Sequence, residues 1–389
     1  MSSANLINID RLFFLPNKLL RFLFITLKSS KKRERESCIV IIKLMGIGSL
    51  TLLSSMCEKE GIDKNKITLI TFHTNQDLCL LLGFPNTLFI RHSNLFYFLY
   101  DCIYVAIRIR EHSFLQIINY ERCSFAVSSF CFCMAFVRPS MLLCFEDGES
   151  KIYGNRLEIY SVDQLTTEKM FRVGVEGISR VGIKVRAVPI RIEKNKVVVN
   201  CNASNYLLAR RYPAKDFIKL IEILHGANPD LHFLFTGSTQ ERSYVEEIIN
   251  RLAGKKIAVQ NMAGKWSLNE FCQELSNCNL FITCDSGPLH LAAYMEISTL
   301  ALWGPTQPYQ FGYENLAFLK NSTMKMNCAP CLNHLYSPAT KFCEGKITCF
   351  TILSPERIIK DAIDLLSDSK NIRTIKFPQG MITRQLNNI

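Results

Sequence analysis

No stretch of this sequence is suited to span a bilayer, which takes about 20 mostly apolar residues. Leu12–Leu27 (LFFLPNKLLRFLFITL) is broken by Pro16, Asn17, Lys18 and Arg21. Ser124–Val137 is too short and reads as a buried helix. No low-complexity tract is present, so the chain is expected to be globular except near its ends. No zinc-finger or RRM-like signature accompanies the net charge of +12. The expected partner is therefore not nucleic acid but a sugar nucleotide or an anionic lipid. The N-terminal apolar run ends in no small-residue cleavage site, so no secretory signal peptide is expected. Sixteen cysteines in 389 residues do not make a small disulfide scaffold. Cys131, Cys133, Cys144 and Cys284 lie in apolar runs, where a thiol packs as a small hydrophobe, and a reducing cytosol is the simplest setting.

What is present is length enough for two cores. Residues 1–36 stand apart, because the apolar run is followed by Lys28, Lys31, Lys32, Arg33 and Arg35. That pattern fits an interfacial helix on an anionic leaflet, or a helix packed on the body of the protein. Strand and helix patterns then alternate. Ser37–Leu44 reads as a buried strand, Met45-Gly46-Ile47-Gly48-Ser49 as a Gly-rich turn and Leu50–Glu60 as a helix. Strand patterns follow at Ile67–Phe72, Thr87–Arg91 and Phe114–Asn119, with helices at Asn75–Gly83 and Phe96–Arg110. The first domain is bounded as 37–193, with its weakest pattern over Glu146–Glu193. The alternation restarts at strand Lys196–Asn200 and gives a second domain, 194–366, before a frayed tail, 367–389. The expected fold class is α/β, with two Rossmann-like domains facing across a cleft.

Asn279–Tyr313 organises the second half. Leu280–Cys284 is a strand, Asp285-Ser286-Gly287-Pro288 a tight turn, Leu289–Glu296 a helix and Thr299–Trp303 a further strand. A helix N-terminus at a strand's carboxyl end binds anions, because unpaired amides and the helix dipole converge there. An ordinary crossover whose polar turn only caps a helix would show the same spacing. The residues themselves, Asp-Ser-Gly-Pro-x-His-Leu-Ala-Ala, then Trp-Gly-Pro-Thr-x-Pro and Phe-Gly, resemble the signature of the family 9 glycosyltransferases, with Gly264–Leu268 (GKWSL) before them. That family comprises the ADP-heptose:lipopolysaccharide heptosyltransferases and their relatives.

The resemblance implies the GT-B arrangement, with acceptor bound by the first domain and nucleotide sugar by the second. It also implies that the last helix folds back on the first domain. Transfer from a nucleotide sugar needs a stabilised leaving diphosphate and a base for the acceptor hydroxyl. For the diphosphate the candidates are Asp285, Ser286, Gly287, Pro288, His290, Arg210 and Arg211. By resemblance, the Asn-Ala-Ser segment ending at Ser204 faces the phosphates with those arginines. For the nucleoside they are Gly237, Ser238 and Glu241, with Lys265-Trp266 bordering the base. Glu241 as a mere first-turn acid and Trp266 as a core residue are the structural alternatives.

Relatives carry Asp in the first Gly-rich turn where this chain has Ser49, after Gly46 and Gly48 on the acceptor side. A serine hydroxyl is no general base at neutral pH. The candidate base is Glu121, which follows a strand end and matches a family subgroup with Gly-Ile-Gly-Ser in the turn. Cys328, Cys331, Cys343 and Cys349 begin as CxxC, with His334 nearby, and are candidate structural zinc ligands or simply reduced thiols. The expected protein is a cytoplasmic glycosyltransferase at the inner face of a membrane, inverting and requiring no cofactor. Its expected partners are an ADP-heptose-like nucleotide diphosphate sugar, a glycan or glycolipid acceptor and the anionic membrane surface. Two alternatives are a degenerate sugar-nucleotide-binding protein, motivated by Ser49, and a GT-B nucleotide-sugar isomerase.

Overall fold

The computed structural model describes residues 38–44, 46–110, 115–120, 141–144, 187–203, 208–311, 313, 315–323, 348–367 and 372–378. The chain divides into two compact units between Lys184 and Val185.

The first unit is built on β1 (Cys38–Ile42), β2 (Ile67–Phe72), β3 (Thr87–Ile90), β4 (Leu115–Asn119) and β5 (Met141–Cys144), with helices α1 (Ile47–Lys59), α2 (Gln76–Leu81) and α3 (Leu95–Arg110). The strands run parallel in the order β3-β2-β1-β4-β5. Ile39, Val40 and Ile41 are fully buried, as a central parallel strand covered on both faces requires. Burial of each such side chain stabilises the fold by roughly 1.5–3 kcal/mol. Lys64 is buried too, but its ammonium donates to Ser54 Oγ (2.6 Å), Glu58 Oε1 (2.9 Å) and the Leu82 carbonyl (2.8 Å), so its charge is compensated.

The second unit holds β7 (Glu193–Asn200), α4 (Ala214–Ala227), β8 (His232–Phe235), α5 (Arg242–Ala253), β9 (Ala258–Asn261), α6 (Leu268–Asn277), β10 (Cys278–Cys284), α7 (Gly287–Met295), β11 (Thr299–Leu302) and β12 (Leu319–Ser322). Its six-stranded sheet has the order β12-β11-β10-β7-β8-β9, parallel throughout. Val197, Val199, Leu280, Ile282 and Leu300 on the strands pack with Phe217 and Leu224 of α4 and Val245 and Ile248 of α5 in one core. The start of α6 is fixed by a capping box, in which Ser267 Oγ accepts from the Glu270 amide while Glu270 Oε2 accepts from the Ser267 amide. A short helix α8 (Thr348–Thr351) and the helix α9 (Pro355–Ser367) complete this unit, beside a two-stranded sheet of β6 (Ala187–Arg191) and β13 (Ile372–Lys376).

The strand and helix alternation expected of an α/β chain is present in both units. Two local expectations change. Gly46 at φ 94° lets the chain turn directly into α1, so Gly48 and Ser49 sit in the first helical turn rather than in a loop. Ile358, Ala362 and Leu365 of α9 pack in the core of the second unit. The region expected to fray contains β13, paired antiparallel with β6 and pinned by Arg373 donating to the Asn279 carbonyl (3.0 Å). No described helix is long and apolar enough to cross a membrane. Residues 1–36 and Ser124–Val137 lie outside the described residues.

Candidate active site

In an open parallel sheet, ligands bind outside the carboxyl ends of the strands where the order of connection reverses. In the second unit this point lies between β7 and β10. From β7 the chain proceeds outward to β8 and β9, and from β10 it proceeds the other way to β11 and β12. Asn200 and Asn202 follow from β7, and Asp285 and Ser286 from β10.

Asp285 is the centre of this cluster, with only 1 % of its side chain exposed. Its Oδ2 accepts from Thr306 Oγ1 at 2.7 Å and from Arg210 Nη1 at 3.3 Å. Its Oδ1 lies 3.7 Å from His290 Nε2 and takes no hydrogen bond among the described residues. His290, in the first turns of α7, shares a 2.9 Å hydrogen bond between Nδ1 and Tyr313 Oη. Burial, reinforced by the Arg210 charge and opposed by Asp285, pulls the imidazole pKa down to about 4, so the ring is neutral at pH 7. Tyr313 is pushed the other way by its own burial. Asn200 Nδ2 donates to Ser286 Oγ (2.8 Å) and Thr283 Oγ1 (3.0 Å), tying the end of β7 to the turn before α7. Pro288 occupies the first turn of α7, where its missing amide costs nothing.

The carboxyl ends of β8 and β9 form a second group. Asn202 Nδ2 donates to the Thr236 carbonyl (3.0 Å), and a Cβ on Gly237 would meet that nitrogen at 2.6 Å. A side chain there would have to displace the Asn202 amide from its hydrogen bond to Thr236. Gly264, at φ +72°, donates its amide to the Gly237 carbonyl (2.9 Å), and a Cβ on it would lie 2.9 Å from Thr239 Cα. Glu241 Oε2 accepts from the Ser238 amide (2.7 Å) and hydroxyl (2.9 Å), a capping box that occupies one oxygen of that carboxylate. Trp266 is half-buried, tilted against Phe271 at 6.5 Å between ring centroids. Arg211 stacks its guanidinium 4.0 Å over the Tyr244 ring. The Nε atoms of Arg210 and Arg211 and Asn202 Oδ1 are buried without a hydrogen-bond partner among the described residues.

The structure therefore gathers Arg210, Asp285, Ser286 and His290, and separately Gly237, Ser238, Glu241 and the Gly264–Trp266 turn, with Asn200 and Asn202 linking the groups. Asn200, Thr306 and Tyr313 were not singled out from the sequence, and Asn202 entered only as part of the Asn-Ala-Ser segment. Thr306 could have been found, because it stands in the Trp-Gly-Pro-Thr motif. Cys284 and Cys201, beneath the site, are buried; burial pushes the Cys284 thiol up to about 12, leaving it an inert packing group. Ser204, Cys328, Cys331 and Cys343 lie outside the described residues, and Cys349 packs in the core beside Phe350.

The first unit has its own reversal point, between β1 and β4. Ser49 is half-buried there, with its Oγ 3.4 Å from where a Cβ on Gly46 would stand. The Tyr120 amide donates to the Ile42 carbonyl at 2.9 Å, holding the end of β4 against β1. Glu121, the next residue, lies outside the described residues.

Comparison with known proteins bears on the second unit most directly. Residues 166–338 match the model of glycosyltransferase family 9 (heptosyltransferase). Lipooligosaccharide heptosyltransferase 2 of Campylobacter jejuni is 30% identical over 183 residues, 46% of this chain and 54% of that protein. The Haemophilus influenzae enzyme of the same name is 33% identical over 109 residues, 28% of this chain and 31% of that one. In these alignments the chain spans about half or less of the length of its curated relatives. Two solved structures share the fold. Escherichia coli ADP-heptose lipopolysaccharide heptosyltransferase II superposes with a TM-score of 0.60 at 14% identity, covering 85% of this chain and 98% of that one. The family 9 glycosyltransferase of Veillonella parvula gives 0.62 at 16%, covering 88% and 100%. Two parallel-sheet units joined in one chain, with this likeness, make the fold class α/β of the GT-B type, and residues 166–338 are similar to glycosyltransferase family 9, the heptosyltransferases.

Proposed function

We propose that this protein is a glycosyltransferase that moves a heptose-like sugar from a nucleotide diphosphate sugar to a lipopolysaccharide or other cell-surface glycan acceptor. The observation that carries the reading is the buried Arg210–Asp285–Thr306–His290 cluster beside the N-terminus of α7, at the reversal point of the unit similar to family 9. The solved E. coli heptosyltransferase bound to ADP, similar in fold at a TM-score of 0.58, supports an ADP-type donor.

The chemistry follows from the residues. As the glycosidic bond to the diphosphate breaks, negative charge grows on the leaving phosphate. Arg210, Arg211 and the amides opening α7 supply a fixed positive field in a site where burial strengthens it. Asp285 orients Arg210, and Thr306 orients Asp285 in turn. Neutral His290 contributes an N–H donor rather than a charge. Gly237 and Gly264 bring bare backbone close to the nucleoside, whose ribose hydroxyls meet the carboxylate of Glu241 while Lys265-Trp266 border the base. Glu121 removes the proton from the acceptor hydroxyl, in place of the aspartate that Ser49 replaces. The transfer is inverting and proceeds without metal, with cationic side chains in the role a metal would otherwise take. The protein works at the inner face of a membrane, held there by residues 1–36.

Incubation with radiolabelled ADP-heptose and a heptose-free lipopolysaccharide core tests this, with and without a chelator. Transfer of label to the core, unchanged by chelator, is expected. Because Ser49 removes the family's usual base, a catalytically silent sugar-nucleotide-binding protein is the second reading; donor binding by calorimetry with no transfer to any acceptor would establish it. Release of a rearranged sugar without acceptor would instead mark an isomerase.

A further inference from the structure

Helix α3 differs from α5 in what its outer face presents. Its inner face is ordinary: Phe98, Cys102, Val105, Ala106 and Ile109 are buried, and Asp101 is held by a bidentate pair with Arg91 (2.7 and 2.9 Å). Its outer face is not. Phe96 is 73% exposed, Tyr100 57%, Tyr104 48%, Ile103 43% and Ile107 56%. These positions recur at helical spacing and form one stripe. Apart from Arg108, every exposed position described on this helix carries a large apolar or aromatic side chain. The outer face of α5, by contrast, presents Arg242, Glu246, Glu247 and Arg251. A contiguous apolar face of this kind marks an interaction surface.

We propose that the outer face of α3 docks on an anionic lipid bilayer. Tyr100 and Tyr104 pair an apolar ring with a polar tip, the chemistry enriched where hydrocarbon meets headgroups. No carboxylate stands at a described exposed position of α3, and the chain carries +12 overall, so electrostatics and apolar contact favour the same partner. A soluble protein partner would more often leave charged residues at the rim. The helix lies along the surface rather than across the membrane, since no described helix is apolar enough to span one. This contact is separate from the one assigned above to residues 1–36, and it does not depend on which sugar is transferred.

Two measurements on the full chain test it. In sedimentation with phosphatidylcholine vesicles containing phosphatidylglycerol, the double variant Ile103→Ser, Ile107→Ser should partition about tenfold less than the parent, with an unchanged thermal midpoint. In Ile107→Trp, emission of the added indole should be quenched by vesicles of brominated lipid beyond the quenching of the parent, whose only tryptophans are in the second unit. Vesicle binding by the double variant equal to the parent overturns the proposal, including the case where the substitutions merely dissociate a dimer. So does an unquenched indole on bound Ile107→Trp protein. If deleting residues 1–36 abolishes binding while the α3 variants bind normally, the α3 docking is wrong and the N-terminal anchor stands.

Discussion

His290 offers a quantitative test of the site, because its environment can be read as a stability curve. The imidazole is buried, and its pKa falls from 6.5 to about 4, first through burial and then through the Arg210 charge, with Asp285 opposing. The unfolded chain therefore binds a proton that the folded chain refuses, and stability rises with pH through the window from about 4 to 6.5. Below about 4 both states are protonated and the dependence ends. At about 1.4 kcal/mol per pKa unit, the full window is worth about 3 kcal/mol, of which about 2 kcal/mol falls between pH 7.5 and 5.0. Trp266 and Trp303 are the only tryptophans and both belong to the second unit, so indole emission during urea unfolding reports that unit alone. Other groups titrate in the same range, so the decisive quantity is a difference. His290→Gln should flatten the dependence between pH 7.5 and 5.0 by about 2 kcal/mol relative to the parent. Parallel curves for the two proteins would refute the claim that His290 is held neutral, and with it the assignment of a neutral donor at the diphosphate.

Two further outcomes follow from the same geometry. Gly264→Ala forces a Cβ onto a left-handed backbone and against Thr239 Cα at 2.9 Å, so it should cost roughly 3 kcal/mol and weaken ADP binding, read by urea unfolding and calorimetry. Asp285→Asn keeps the Thr306 hydrogen bond but leaves the Arg210 guanidinium without its counter-charge; a loss of roughly 3 kcal/mol in unfolding free energy is expected, and an unchanged value would mean that solvent already compensates the arginine.

Most of the second unit was legible in the sequence because its elements announce themselves locally. KVVVN and LFITC are unbroken apolar runs of strand length, and the α5 residues Val245, Ile248, Ile249 and Leu252 repeat at helical spacing. What escaped depends on contacts far apart in the chain. β6 contains Pro189 and alternates weakly, and β13 carries the charged Arg373 and Lys376; each is a strand only because the other pairs with it. β12 (LKNS) is similarly polar and is recruited by the edge of β11. Site residues divide the same way. Asp285, Ser286 and His290 stand in one motif and were visible together. Tyr313, 23 residues after His290, and Asn200, 86 before Ser286, join the cluster only through the fold.

That division has a consequence for how the site acquires its strength. Asp285 is bound on one oxygen by Thr306 and Arg210, while its other oxygen, the Nε atoms of Arg210 and Arg211, and Asn202 Oδ1 are buried without a hydrogen-bond partner among the described residues. Each such atom costs about 1–3 kcal/mol relative to a satisfied one. A chain selected for stability alone would not collect them at one reversal point of a sheet. Their orientation is nevertheless fixed, by Thr306 on Asp285, by Tyr244 under Arg211 and by the Thr236 carbonyl on Asn202. On the proposed function, donors and acceptors already held in place would lose little entropy on binding a diphosphate and its nucleoside, and the unmet hydrogen bonds would then be made. The site is therefore expected to be least stable when empty, and saturating nucleotide diphosphate should raise the unfolding midpoint of the second unit, in proportion to the logarithm of ligand concentration above its dissociation constant.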